Sequence, residues 1–260
     1  MLTQLCSNVN FKKNQNDVNQ YLHLTLMKKL EHVSLNDVAK NGNKSCLKYA
    51  FSIIKAKDNN YTLTFAAESG SLACLKYAYN IIKATDDYNQ TLRYAARSGS
   101  LARLKYVFCI IKATDAHNLT LCSSALSGSL ACLKYAHKVI LANDNNQTLS
   151  SSALSGSLDC LKYAHKVILA NDNNWTLHNA ARSGSVECLK YAYNIIQATD
   201  NHNYTLCYAA KSGSFACLKY AFEVIKAIDV NNYTFRDAKK SGSFACIEYC
   251  KKYICNIEEA

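Results

Sequence analysis

The tripeptide Ser-Gly-Ser returns along this chain with its glycine at Gly70, Gly99, Gly128, Gly156, Gly184, Gly213 and Gly242, and Asn41-Gly42-Asn43 is a degenerate earlier copy. The steps are 28 or 29 residues. A period this short restricts the fold to stacks of one small supersecondary unit, because a single copy cannot bury its own apolar face.

Two further landmarks keep phase with the glycine. A Thr-Leu or Thr-Phe pair begins eight residues before each of the seven (Thr62, Thr91, Thr120, Thr148, Thr176, Thr205, Thr234), and Ser34-Leu35 holds that place before Gly42. An aspartate lies sixteen residues after each of the first seven glycines: Asp58, Asp86, Asp115, Asp144, Asp172, Asp200 and Asp229. Both spacings are constant, so the extra residue of the longer copies falls between the aspartate and the next threonine, which marks that segment as the loop. Residues 120–147 and 148–175 differ only at Cys122/Ser150, Ala131/Asp159 and Gln147/Trp175, as after a recent tandem duplication.

Each repeat reads as two helices. Thr62 is the expected N-cap of a short helix over 63–69, Gly70 its left-handed stop, and Ser71 the cap of a longer helix from 72 to about 84. At about 100° per residue, Leu72, Cys74, Leu75, Ala78, Ile81 and Ile82 share one broad face of that second helix, and Lys76, Asn80 and Lys83 lie opposite. Turns are expected from Gly-Ser and Asp-Asn, since the chain contains no proline.

The repeat "TLRYAARSGSLARLKYVFCIIKATDAHN" resembles the ankyrin repeat in its Thr-Leu start, its Ala-Ala pair, its glycine turn and its Leu-x-x-Leu second helix. It is most similar to shortened variants of large DNA viruses and some protists. The family's Thr-Pro is Thr-Leu here, and the β-hairpin finger is trimmed by about four residues against the usual period of about 33. The resemblance implies an all-α solenoid of stacked helix-turn-helix repeats with shortened loops, eight of them over residues 34–260. Residues 1–33 are expected to be a capping segment or a worn repeat.

Every repeat position becomes a ladder with rungs about 10 Å apart. Cys46, Cys74, Cys132, Cys160, Cys188, Cys217 and Cys246 share one rung, with Arg103 as the exception. A disulfide needs Cα atoms within about 7 Å, so neighbouring rungs cannot bridge, and buried thiols in a reducing compartment are expected. Tyr49, Tyr77, Tyr106, Tyr135, Tyr163, Tyr191, Tyr220 and Tyr249 form a complete ladder suited to packing between repeats. The lysines Lys48, Lys76, Lys105, Lys134, Lys162, Lys190 and Lys219 read as a solvated face. They contribute much of the +11 net charge, and nucleic-acid or anionic-surface binding is the alternative they raise. Phosphates spaced about 3.4 Å apart along a strand do not match such rungs, so nucleic acid is not the favoured partner.

No nucleophile elbow, Walker loop, His-Glu-x-x-His or paired catalytic carboxylates appear, and the aspartates are too sparse for calcium, so neither catalysis, a metal nor a cofactor is expected. Nor is there a membrane span or an apolar leader, which points to an intracellular, cytoplasmic monomer, in host cytoplasm if viral. In an array the invariant rungs hold the fold, and the varying positions are free to read a partner. These lie just before the glycine turn and just before each threonine, on what the resemblance implies is the concave face. The expected contact residues are Arg97, Trp175, Arg182, Tyr204, Lys211, Tyr233 and Lys240, with an acidic segment of a protein as the partner.

Overall fold

The computed structural model describes residues 34–52, 55, 61–85, 90–115, 119–143, 147–171, 175–200, 203–229 and 233–254. The expected N-terminal cap over 1–33 and the aspartates Asp58, Asp86, Asp144 and Asp172 lie outside these. All regular secondary structure among the described residues is helical. The chain divides into two compact bodies, Met1–Ala116 and His117–Ala260.

In the first body the helix pairs are Leu35–Lys40 with Lys44–Ser52, Thr62–Glu68 with Leu72–Tyr77, and Thr91–Arg97 with Leu101–Tyr106. The second body holds Thr120–Leu126 with Leu130–Tyr135, Thr148–Leu154 with Leu158–Tyr163, and Thr176–Ser183 with Val186–Tyr191. Thr205–Lys211 with Phe215–Glu223 and Tyr233–Ser241 with Phe244–Tyr249 complete it. Within each body first helices pack on first helices and second on second. The small pairs Ala66-Ala67, Ala95-Ala96, Ala180-Ala181 and Ala209-Ala210 are fully buried and let successive first helices approach closely, while Leu75, Leu104, Leu133, Leu161, Leu189 and Leu218 fill the space beneath.

Each residue of the Ser-Gly-Ser motif has its own role. The first serine's hydroxyl donates back to its own helix and accepts from the second serine's amide, as Ser69 Oγ does with Ala66 O at 2.9 Å and Ser71 N at 3.2 Å. The glycine takes a left-handed φ, +73° at Gly128, where any other residue is strained. The second serine caps the next helix by accepting from the amide of the cysteine rung: Ser71 from Cys74, Ser157 from Cys160, Ser185 from Cys188.

Three features depart from the sequence expectation. The threonine does not cap the first helix. From Thr62 to Thr205 it is the first helical residue, all seven threonines are fully buried, and Thr62 Oγ1 bonds between repeats by donating to Asn36 Oδ1 at 3.0 Å. Where the loop aspartate is described with its partners, that residue caps instead: Asp200 Oδ1 accepts from the amides of Tyr204 and Thr205, and Asp229 Oδ1 from the amide and hydroxyl of Thr234.

The second helix also departs from α geometry. After Tyr77 it widens into a π-helical turn, Ala78–Ile82, whose first carbonyl receives the amides of both Lys83 and Ala84. A wide turn advances by less than about 100° per residue, so Ile81 swings out of the buried stripe and Ala84 takes its place. The same turn recurs at Val107–Ile111, Ala136–Ile140, Ala164–Ile168, Ala192–Ile196 and Cys250–Ile254.

Third, thiols do not fill the whole cysteine rung. Cys74, Cys132, Cys160, Cys188, Cys217 and Cys246 are buried, but Cys46 is disulfide-bonded. The rung spacing excludes bridges only between neighbouring repeats, and Cys46 is half-buried, unlike the rungs that follow it.

Candidate functional site

The tyrosine and lysine ladders are occupied with each other. Hydroxyls of the tyrosine ladder meet polar side chains of the preceding repeat: Tyr77 with Ser52, Tyr106 with Asn80, Tyr163 with His137, Tyr191 with His165, Tyr220 with Asn194, and Tyr249 with Glu223. The lysines are exposed, and Lys76, Lys134 and Lys190 hold their ammonium groups 5.7 Å from the ring centres of Tyr106, Tyr163 and Tyr220 in the next repeat. Both ladders tie repeats together, as inter-repeat packing predicts for the tyrosines.

The positions that vary between copies lie on and beside the first helices. In the second body Trp175 and Tyr204, on successive repeats, are 41 % and 38 % exposed and stand to either side of His178. The His178 ring is fully buried. Its centre lies 5.4 Å from that of Trp175 and 6.2 Å from that of Tyr204, both edge to face. Tyr208 joins the group beside Tyr204, and the Arg182 guanidinium lies over its ring at 5.8 Å.

His178 is held from below. Its Nε2 lies 2.8 Å from Asp200 Oδ1, the same oxygen that caps the next first helix. Burial works against ionisation of Asp200, but hydrogen bonds from His178 and Thr205 outweigh it and keep the carboxyl below its ordinary range.

Lys211 is exposed on the next first helix, and Tyr233 and Lys240 on the one after. Arg236 stacks over the Tyr233 ring at 4.2 Å, and Lys240 Nζ lies 3.8 Å from Asp237 Oδ1. Thus Trp175, Arg182, Tyr204, Lys211, Tyr233 and Lys240 follow one another along three packed helices. Arg97 is exposed as well, on a first helix of the first body.

His178, Tyr208, Arg236 and Asp237 were not anticipated. They sit two and three residues after the repeat's threonine, at positions that also vary (Thr64, Arg93, Cys122, Ser150, His178, Cys207, Arg236), so the signal was present in the sequence. Among the described residues no group of three or more His, Cys, Asp or Glu is placed to hold a metal ion, and no helix is long and apolar enough to cross a membrane.

Comparison with protein-family models and with curated proteins finds no match, so the resemblance to ankyrin repeats rests on the residues of the repeat itself.

Proposed function

We propose that the chain is an ankyrin-like α-solenoid acting as a non-enzymatic scaffold, and that the first-helix face of its second body grips an acidic segment of a partner protein. The observation that carries this reading is the half-exposed pair Trp175 and Tyr204 on a buried histidine, with Arg182, Lys211 and Lys240 exposed on consecutive helices beside them. Rigid aromatics and arginine contribute most where an interface is tight, because they bury large area at little entropic cost. Basic rungs of one sign add attraction to carboxylates and exclude basic competitors.

Affinity capture at two salt concentrations tests it. The Arg182→Glu and Lys211→Glu double variant is expected to lose the captured partner about tenfold or more with its thermal melt unchanged. Unaltered capture would sink the reading. A steep loss with salt that instead follows neutralisation of Lys105, Lys134 and Lys162 would favour a nucleic-acid or anionic-surface binder.

A further inference from the structure

An apolar row lies uncovered on the far ends of the second helices. Val139, Val167, Ile195 and Val224 hold the same place in four consecutive repeats of the second body, each about half exposed. Two residues further on, Leu141 and Leu169 are 74 % exposed. Both leucines sit in the left-handed region, φ +55° and +57°. They are doubly disfavoured there, by backbone strain and by an apolar side chain in water. The fold does not require leucine, because Lys83, Lys112, Gln197 and Lys226 make the same left-handed stop in other repeats.

Glu223 adjoins Val224 at one end of the row, but in the two repeats that carry the leucines the exposed charge of the second helices is basic. Lys134, Lys138, Lys162 and Lys166 are exposed on the same two second helices, whose one carboxylate, Asp159, lies in a first turn at the opposite end.

We propose that this row docks an α-helix of a partner protein, laid along the stack and carrying an apolar seam flanked by Asp or Glu. Packed helices lie about 8–10 Å apart, which sets the rung spacing. Helix residues seven apart are separated by about 10.5 Å, so one apolar side chain per heptad meets one rung. Acidic flanks answer the four lysines. A second copy of the chain would set those lysines against their own kind. Membrane interfaces are commonly anchored by Trp and Tyr, and Val139, Leu141, Val167, Leu169, Ile195 and Val224 include neither. This surface is separate from the first-helix face described above.

The test uses the full chain and a synthetic helical peptide of about four heptads, with Leu at every seventh position and Glu beside it. A second peptide has the same composition but its leucines scattered around the helix. Fluorescence anisotropy should show saturable binding of the heptad peptide and about tenfold weaker binding of the scattered one. Leu141→Gln with Leu169→Gln introduces the residue already present at Gln197. It should weaken the heptad peptide about tenfold while the thermal melt holds. Lys138→Glu with Lys166→Glu should weaken it about fivefold, and Arg182→Glu with Lys211→Glu should leave it unchanged, which separates this strip from the proposed first-helix site. No binding, equal binding of the two peptides, or indifference to the leucine pair would overturn the proposal. So would sedimentation with phosphatidylserine vesicles, or dimerisation in the ultracentrifuge, that the leucine pair abolishes.

Discussion

His178 Nε2 lies 2.8 Å from Asp200 Oδ1 and joins the first helix of one repeat to the loop that starts the next. Because the same carboxylate oxygen caps the amides of Tyr204 and Thr205, one side chain serves both the junction and the cap. Asp200→Ala removes the cap and strips a buried imidazole of its acceptor. We expect a loss of about 2–4 kcal/mol in urea unfolding, and less for Asp200→Asn, which keeps an acceptor oxygen. Unchanged stability in Asp200→Ala would show that water replaces the carboxylate.

The pH dependence of that junction follows from the lowered carboxyl of Asp200. A carboxyl held lower in the folded state than in the unfolded one stabilises the fold above its unfolded value of about 3.9. That contribution disappears as pH falls through the still lower folded value. Wild type should therefore lose more stability than Asp200→Asn between about pH 5 and pH 2, as unfolding curves at stepped pH would show.

Arg103 replaces the usual cysteine and is only 5 % exposed. Its guanidinium donates to the carbonyls of Ala67 at 3.2 Å and Ser98 at 3.3 Å, at the C-terminal ends of two successive first helices, where positive charge is favoured. Arg103→Ala should cost about 2–4 kcal/mol in chemical denaturation. Arg103→Lys should recover little, since an ammonium lacks the planar fork that spans both carbonyls.

Lys112 ends its helix at φ +57° with an exposed side chain. A residue with a Cβ pays about 1–2 kcal/mol in this region and glycine does not, so Lys112→Gly should raise stability by about 1 kcal/mol. A drop in melting temperature would mean that the lysine makes a contact worth more than the strain.

Burial pushes the Cys207 thiol up to about 11, reinforced by the charge of Asp237, while Cys109 is exposed. In iodoacetamide at pH 8 the folded chain should be alkylated at Cys109 well before Cys188 or Cys207, which react only once the fold opens. Peptide mass mapping against time reads the order, and early labelling of Cys207 would contradict the packing.

The amino-acid sequence by itself determined the repeat, its two-helix form, the glycine stop, the serine caps and the packing role of the tyrosines. These depend on residues a few positions apart or on one position recurring in every copy, and both are visible as spacing. It also marked Trp175, Arg182, Tyr204 and Lys211 as free to vary.

Only the tertiary structure decided where Thr62, Ile81 and His178 go. Thr62 looks like a cap until the neighbouring repeat supplies Asn36 as its acceptor and the loop aspartates take the capping place in the later repeats. Ile81 looks buried on any wheel drawn at a constant angle, because a wide turn alters the register without altering composition. His178 is one varying residue among several until Trp175, Tyr204 and Asp200 close around it. For Thr62 and His178 the deciding partners lie across the junction between repeats, and for Ile81 the local geometry of the turn decides, so a constant helical angle read along one copy contains neither.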